Sequence, residues 1–243
     1  MKRYMRTTDD VLEMLDRAFP RDGGADWWDR FYGDRERDVP FFVEKADENL
    51  VAHIDNGPIR PEGRALDLGC GPGRNALHLA ARGFDVDAVD LSATAVAWGK
   101  ERAAAATADV RFHEGDIFDV QLPYAAYDVV YDSGCLHHLP PHRRVSYLAL
   151  LDRVLAPGGY FGLVCFAAGA MGSEASDEEL YRSGDLGGGL AFAPDELRHL
   201  FGELEEVEIR PMTAQGEGSA TYGVPFLLTA LFRRPEPDPR SPR

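Results

Sequence analysis

The stretch "ALDLGCGPGRNALHLA", residues 65 to 80, constrains the fold more than any other part of the chain. A short apolar run meets Gly69, Gly71 and Gly73, and apolar residues at helical spacing follow at once. Glycine enters left-handed backbone conformations at no steric cost, so a chain built this way can turn from strand to helix within a few residues and bare its amides to a ligand. A strand running straight into a helix is the opening unit of a sheet with helices packed on it.

The rest of the chain continues that alternation. "GRNALHLAARG" reads as a helix closed by Gly83, "DVDAVDL" as a second strand, and "SATAVAWGKERAAAA" as a helix with Ser92 as its N-cap. "DVRFHEGD" and "YDVVYD" are predicted as strands three and four, "HRRVSYLALLDRVLAPGG" as a helix stopped by Pro157, Gly158 and Gly159, and "YFGLVCFA" as a fifth strand. "LEEVEIRPM" and "PFLLTALFRR" supply two more. The expected fold class is α/β, a doubly wound, mostly parallel seven-stranded sheet with helices on both faces. Residues 1–60 are expected to form an N-terminal helical cap, 61–233 the main domain, and 234–243 a disordered proline-rich tail. The polar, glycine-rich stretch 167–191 interrupts the pattern and is expected to be a lid-like insert, with Pro194 opening the next helix.

Bulk properties narrow the partners. Of 243 residues, 41 are acidic and 26 basic, a net charge of −15, and the longest basic runs are pairs. A phosphate backbone or an anionic membrane surface would be repelled, so no nucleic acid and no membrane is expected as partner. No apolar run reaches the ~20 residues that span a bilayer, and the first residues lack the apolar core of a secretory signal, so a cytoplasmic location is expected. Cys70, Cys135 and Cys165 lie far apart beside apolar stretches and read as buried thiols.

The spacing around the glycines bears on the ligand. A dinucleotide site wants a third glycine one residue later than Gly73, where this chain has Arg74. Asp67 stands two residues before Gly69, a poor neighbour for phosphate and a good one for a cation. Asp90, about twenty residues past the turn, is placed where an acid binds a ribose diol. A ribose, a cationic group and no phosphate describe S-adenosylmethionine.

These motifs resemble the class I S-adenosylmethionine-dependent methyltransferases over roughly residues 60 to 235: "DLGCGPG" their first motif, "VDLS" the acidic second, "EGDIFD" the third, and "VYDSG" the strand that ends beside the transferable methyl. The resemblance implies a Rossmann-like sheet whose last strand is antiparallel, with S-adenosylmethionine as donor and S-adenosylhomocysteine as product. It also implies that Asp67, Gly69, Gly71 and Gly73 border the methionine part, Asp90 the ribose, Leu91 and Ile117 the adenine, and Asp116 its amino group. Absence of nicotinamide binding would end a third reading, a dehydrogenase.

The segment "DWWDRFYGDRERDVPFF" is dense in aromatics. Phe31 and Phe42 are expected to pack on the fold, while Trp28, Tyr32 and, less centrally, Trp27 are candidates for lining a sulfonium pocket, at ~0.5–2 kcal/mol each. With the later "DSG" to "PGG" stretch, this segment resembles the thiopurine-methyltransferase-like and tellurite-resistance-like branches, which implies a soft acceptor such as a thiol. A thiol needs no dedicated base, since a few per cent is ionised at neutral pH. An N- or O-methyltransferase of a natural product or metabolite, and a non-catalytic donor-binding module, are the alternatives. The acceptor is a small molecule in every catalytic reading; monomer and homodimer stay open.

The loop "DSGCLHHLPPHRR", residues 132 to 144, at first suggests a metal site. A strand end sends His137 and His138 in different directions and no further cysteine or histidine cluster completes a tetrahedron, so no metal is expected. Cys135 reads as a packing residue and His142 as an exposed helix start. Asp132, His137 and His138 remain as candidate catalytic residues facing the acceptor.

Overall fold

The computed structural model describes residues 5–18 and 24–237. Strands β1 (Arg64–Leu68), β2 (Asp85–Asp90), β3 (Val110–Glu114), β4 (Tyr127–Ser133) and β5 (Leu155–Ala167) alternate with helices α4 (Arg74–Ala81), α5 (Ala93–Ala106) and α6 (Arg143–Val154). The short strand β6 (Ala191–Phe192) and helix α8 (Pro194–Leu200) precede β7 (Glu205–Pro211) and β8 (Leu227–Arg233). The main path of the sheet runs β3-β2-β1-β4-β5-β8-β7, with β6 paired to β5 off that path. Strands β1 to β5 are mutually parallel; β8 runs antiparallel to both β5 and β7. The expected doubly wound, mostly parallel sheet is present. Strand order reverses between β1 and β4, and the crevice beyond their carboxyl ends is where open α/β sheets take ligands.

Nearly continuous apolar strands explain the burial. Leu66, Leu68, Val130, Phe161 and Leu163 are buried against α6 and α8 on one face, while Ala65, Val86, Val129 and Leu231 join Leu50, Ala76 and Leu79 on the other. At ~25 cal/mol per Å² of apolar area, this two-sided burial is the main force holding the sheet. Ser92 does cap α5, its hydroxyl accepting from the Ala95 amide at 3.1 Å.

Three boundaries differ from expectation. Helix α6 ends at Val154, ahead of the Pro157 to Gly159 breaker, because Leu155 already pairs with Tyr127 as the first residue of β5. The 167–191 stretch is more structured than its composition suggests: α7 (Asp177–Ser183) starts at a capping box of Ser176 with Glu179, and Leu180, Leu186 and Leu190 are buried in the core. Arg234, expected in a disordered tail, donates to the Asp152 and Leu155 carbonyls, the latter at 2.7 Å; residues 238–243 lie outside the described residues.

The segment before the sheet holds α1 (Thr8–Ala18), α2 (Ala25–Gly33) and α3 (Glu48–Asp55). Trp28, Phe31 and Phe42 pack with Tyr32 against Trp98 of α5, which seats α2 over the glycine turn. Asp29 of α2 reinforces this by accepting the Ser92 hydroxyl at 2.6 Å and the Thr94 amide at 3.0 Å.

Candidate active site

The turn after β1 takes the conformation its glycines allow. Gly69, Gly71 and Gly73 have φ of 65°, 52° and 77°, the left-handed region. A Cβ at Gly71 would stand 2.9 Å from the Tyr32 hydroxyl, and one at Gly69 2.7 Å from Cβ of Cys135, so the turn is closed by α2 above and the β4 loop beside it. The Asp90 carboxylate accepts the Gly71 amide and the Ser92 amide, each at 2.8 Å, one per oxygen. Each oxygen keeps lone-pair capacity for one further donor, which suits two adjacent hydroxyls. Burial pushes the Asp90 pKa up to about 6 against the pull of those amides.

Beyond the turn a cavity of about 450 Å³ opens at the carboxyl ends of β1 and β4. Tyr32, Trp28, Asp67, Gly69, Gly71, Asp90, Leu91, Asp116 and Ile117 all line it, whereas Gly73 lies behind, its α carbon facing Phe112. Asp67 is buried with one carboxylate oxygen that has no hydrogen-bond partner, and burial pushes its pKa well up. An orphaned buried carboxylate oxygen calls for a cation or donor. Arg74, on the wall, is already committed: it pairs with the buried Asp47 and donates to the Ser133 hydroxyl at 3.0 Å. Asp47 is further held by Asn75 at 2.9 Å and Tyr131 at 2.9 Å. Acids therefore dominate the inner cavity, which fits the ammonium and sulfonium of S-adenosylmethionine and disfavours a pyrophosphate.

The loop after β4 is arranged differently from its sequence reading. Leu136–His138 form one 3-10 turn, so the His137 and His138 rings do not diverge as a strand would make them; their centroids are 4.4 Å apart. Both line the cavity, His137 stacked on Phe166 at 3.9 Å and His138 edge-on to Trp28 at 5.0 Å. Burial lowers both pKa values, His138 to about 4 and His137 well below its usual range, so both rings are neutral at pH 7. The Nδ1 atom of His137 is buried without a partner.

Asp132 does not face the acceptor space. Its carboxylate accepts the Cys135 amide at 2.7 Å, the Leu136 amide at 3.0 Å and the Tyr147 hydroxyl at 2.6 Å, and it is not among the residues lining the cavity. It clamps the turn that presents the histidines. His142 is buried rather than exposed: its ring contacts Asp16 of α1 at 2.9 Å and Tyr181 of α7 at 2.6 Å. Cys70 and Cys135 are half-buried and line the cavity; only Cys165 is a fully buried thiol. Among the described residues no group of three or more histidine, cysteine, aspartate or glutamate side chains is arranged to hold a metal, and no helix is long and apolar enough to cross a membrane. The His142 contacts left no local sequence signal, since Asp16 and Tyr181 lie far along the chain, whereas the clamp by Asp132 uses amides three and four residues on and is a local signal that the sequence reading did not use.

A left-handed glycine turn, an acid with free lone-pair capacity and an orphaned carboxylate stand around one cavity on a Rossmann-like sheet, an arrangement that suits a nucleoside carrying a cation. Comparison with known proteins gives that arrangement its family. Residues 65–159 match the family described as "Methyltransferase domain". The 27-O-demethylrifamycin SV methyltransferase of Amycolatopsis mediterranei is 30% identical over 213 residues, 85% of this chain and 73% of that protein. Other curated relatives match over shorter stretches, and the chain spans about half their length. Among solved structures, one described as "Conversion of a Disulfide Bond into a Thioacetal Group during Echinomycin Biosynthesis" superposes with a TM-score of 0.66 at 22% identity, covering 88% of this chain and 93% of that one. The Burkholderia thailandensis 1,6-didemethyltoxoflavin-N1-methyltransferase, with 1,6-didemethyltoxoflavin and S-adenosylhomocysteine bound, gives 0.61 at 22%, covering 97% and 94%. The chain belongs to the class I S-adenosylmethionine-dependent methyltransferases.

Proposed function

We propose that this enzyme methylates a small molecule at a proton-bearing nucleophile, oxygen or nitrogen first and thiol second, in the chamber between the glycine turn and the histidine pair. Asp90 holds the ribose hydroxyls, Leu91 and Ile117 flank the adenine with Asp116 near its amino group, and Asp67 with the glycine turn borders the methionine end. Trp28 and Tyr32 cover the sulfonium. The donor supplies an electrophilic methyl. Trp28, Phe31 and Phe41 of the N-terminal segment and Met171 and Gly188 of the insert line the two walls that exclude water.

One observation carries the reading: His137 and His138, both neutral at pH 7, line the cavity side by side, where either can take a proton from the acceptor. The thiol of Cys70, on the same wall, is pushed well up by burial. Burial would raise the pKa of a hydroxyl acceptor as it does that of a thiol, so a base within reach serves either, and the order of oxygen and nitrogen before sulfur rests on the names of the relatives. In every case the acceptor lone pair forms the new bond to the methyl carbon as the carbon–sulfur pair returns to sulfur, and the acceptor proton passes to His137 or His138. The sulfonium charge disappears as the imidazolium charge forms, so the site's total charge is conserved. The name of the Amycolatopsis relative supports oxygen and that of the Burkholderia structure nitrogen, whereas the thioacetal structure is the support for sulfur. The thiopurine and tellurite-resistance branches find no stronger support than these.

The test is transfer of a labelled methyl to matched hydroxyl, amine and thiol acceptors, in wild type and in His137→Phe and His138→Phe. Loss of one general base should cost about 10²–10⁴ in kcat with the hydroxyl acceptor. Full activity in both variants would remove the histidines from the mechanism.

A further inference from the structure

The two ends of the cavity differ in charge. Asp67, Asp90, Asp116 and Arg74 lie at the donor end, on or beside the carboxyl ends of β1, β2 and β3. Among the described residues the remaining wall carries no ionic side chain and is mostly aromatic and aliphatic: Trp27, Phe31 and Phe41 come from the N-terminal segment, and Phe166 and Phe226 from the far side, with the neutral histidine pair among its polar groups. Trp27 stacks on Phe31 with centroids 5.2 Å apart and rings 14° from parallel, and Phe31 stacks on Phe41 at 6.0 Å and 17°. His137 stacks on Phe166 at 3.9 Å and 17°. These stackings occupy the faces of Phe31 and one face of Phe166, so what the lining rings offer a ligand is their remaining faces and edges, on both sides of the chamber. At the mouth Met171 is 44% exposed, a polarisable side chain on the rim of the insert.

Resting on the functional reading above, we infer that the acceptor is an uncharged, planar aromatic molecule, selected by these ring faces and by the absence of a free charge on the acceptor wall. Among the described residues that line the cavity Arg74 is the one permanent cation an anionic acceptor could meet, and it is paired with Asp47. A cationic acceptor would enter beside the sulfonium, with the acids confined to the donor end. Burying an unpaired charge costs several kcal/mol, while a stacked ring contributes about 0.5–1.5 kcal/mol beyond its area.

The experiment uses the full chain loaded with S-adenosylhomocysteine and three probes on one bicyclic skeleton: 1-naphthol, 1-hydroxy-2-naphthoate and decahydro-1-naphthol. Binding is read from tryptophan fluorescence, with methyl transfer from labelled donor in parallel. The expected result is 1-naphthol binding about tenfold or more tighter than either congener. Met171→Arg should raise 1-hydroxy-2-naphthoate affinity about tenfold, leaving S-adenosylhomocysteine affinity unchanged. Equal binding of the anionic or the saturated probe, no binding of 1-naphthol to the loaded protein, or no response to Met171→Arg would overturn the inference while leaving methyl transfer intact. Failure of S-adenosylhomocysteine to bind would overturn the functional reading, and the inference with it.

Discussion

The carboxylate of Asp90 accepts the amide of Gly71 at 2.8 Å, tying the end of β2 to the middle of the glycine turn. One side chain thereby sets the shape of the turn and presents its remaining lone pairs to the cavity. Binding and local structure are coupled at this residue.

Asp90→Ala should weaken S-adenosylhomocysteine binding about 10- to 100-fold, the equivalent of losing one hydrogen bond to a charged acceptor at ~1.5–3 kcal/mol. It should also lower the melting temperature, because the Gly71 and Ser92 amides lose their acceptor. Calorimetric titration and thermal unfolding of the same sample check both. Unchanged affinity would contradict the placing of the ribose.

Affinity should rise with pH through about 6. The folded pKa of Asp90, about 6, lies above its ordinary 3.8, so its contribution to stability of the unliganded protein is fully present below about pH 4 and lost as pH rises through 6. With the ribose placed as proposed, its hydroxyls donate to the carboxylate, so ligand should favour the ionised form and release a proton on binding near pH 6. Asp67, also shifted up by burial, acts in the same direction with the ammonium. Binding enthalpies in buffers of different ionisation heat measure that release, and a flat profile from pH 5 to 7.5 would exclude it.

Asp132 and Tyr147 should behave as a structural pair. Tyr147→Phe leaves a buried carboxylate short of a donor, and Asp132→Ala leaves the Cys135 and Leu136 amides without an acceptor; each should cost about 1–3 kcal/mol in denaturant unfolding. Donor affinity should change little. A catalytic role for Asp132 would show as lost turnover at full stability.

The N-terminal helix should be held at its end by Asp16, which pairs with Arg143 and contacts His142 at 2.9 Å. Asp16→Ala should raise amide exchange in residues 8–18 about tenfold, ~1.4 kcal/mol of local stability. Exchange in the sheet should not change. Unaltered exchange in α1 would show that other contacts carry it.

The sheet, its order of elements and the donor were legible in the sequence because each rests on local signals. Glycines at 69, 71 and 73 after an apolar run, acids at 67 and 90, and the Ser92 cap all report conformations set within a few residues. The insert misled because its glycines and acids mark a loop by composition, while Leu180, Leu186 and Leu190 are spaced to reach a core that only exists once β5 and α6 are in place.

The sequence by itself determined the fold class and the cofactor, since strand, turn and helix each answer to short-range sterics and hydrophobic period. Only the tertiary structure decided the roles along "DSGCLHHLPPHRR". Tyr147 takes Asp132 out of the acceptor space, and a single 3-10 turn brings His137 and His138 together against Phe166 and Trp28. Asp16 and Tyr181 draw His142 inward. The physical reason is that whether a polar side chain serves chemistry or architecture depends on which partners satisfy it when it is buried, and those are fixed only when the elements pack.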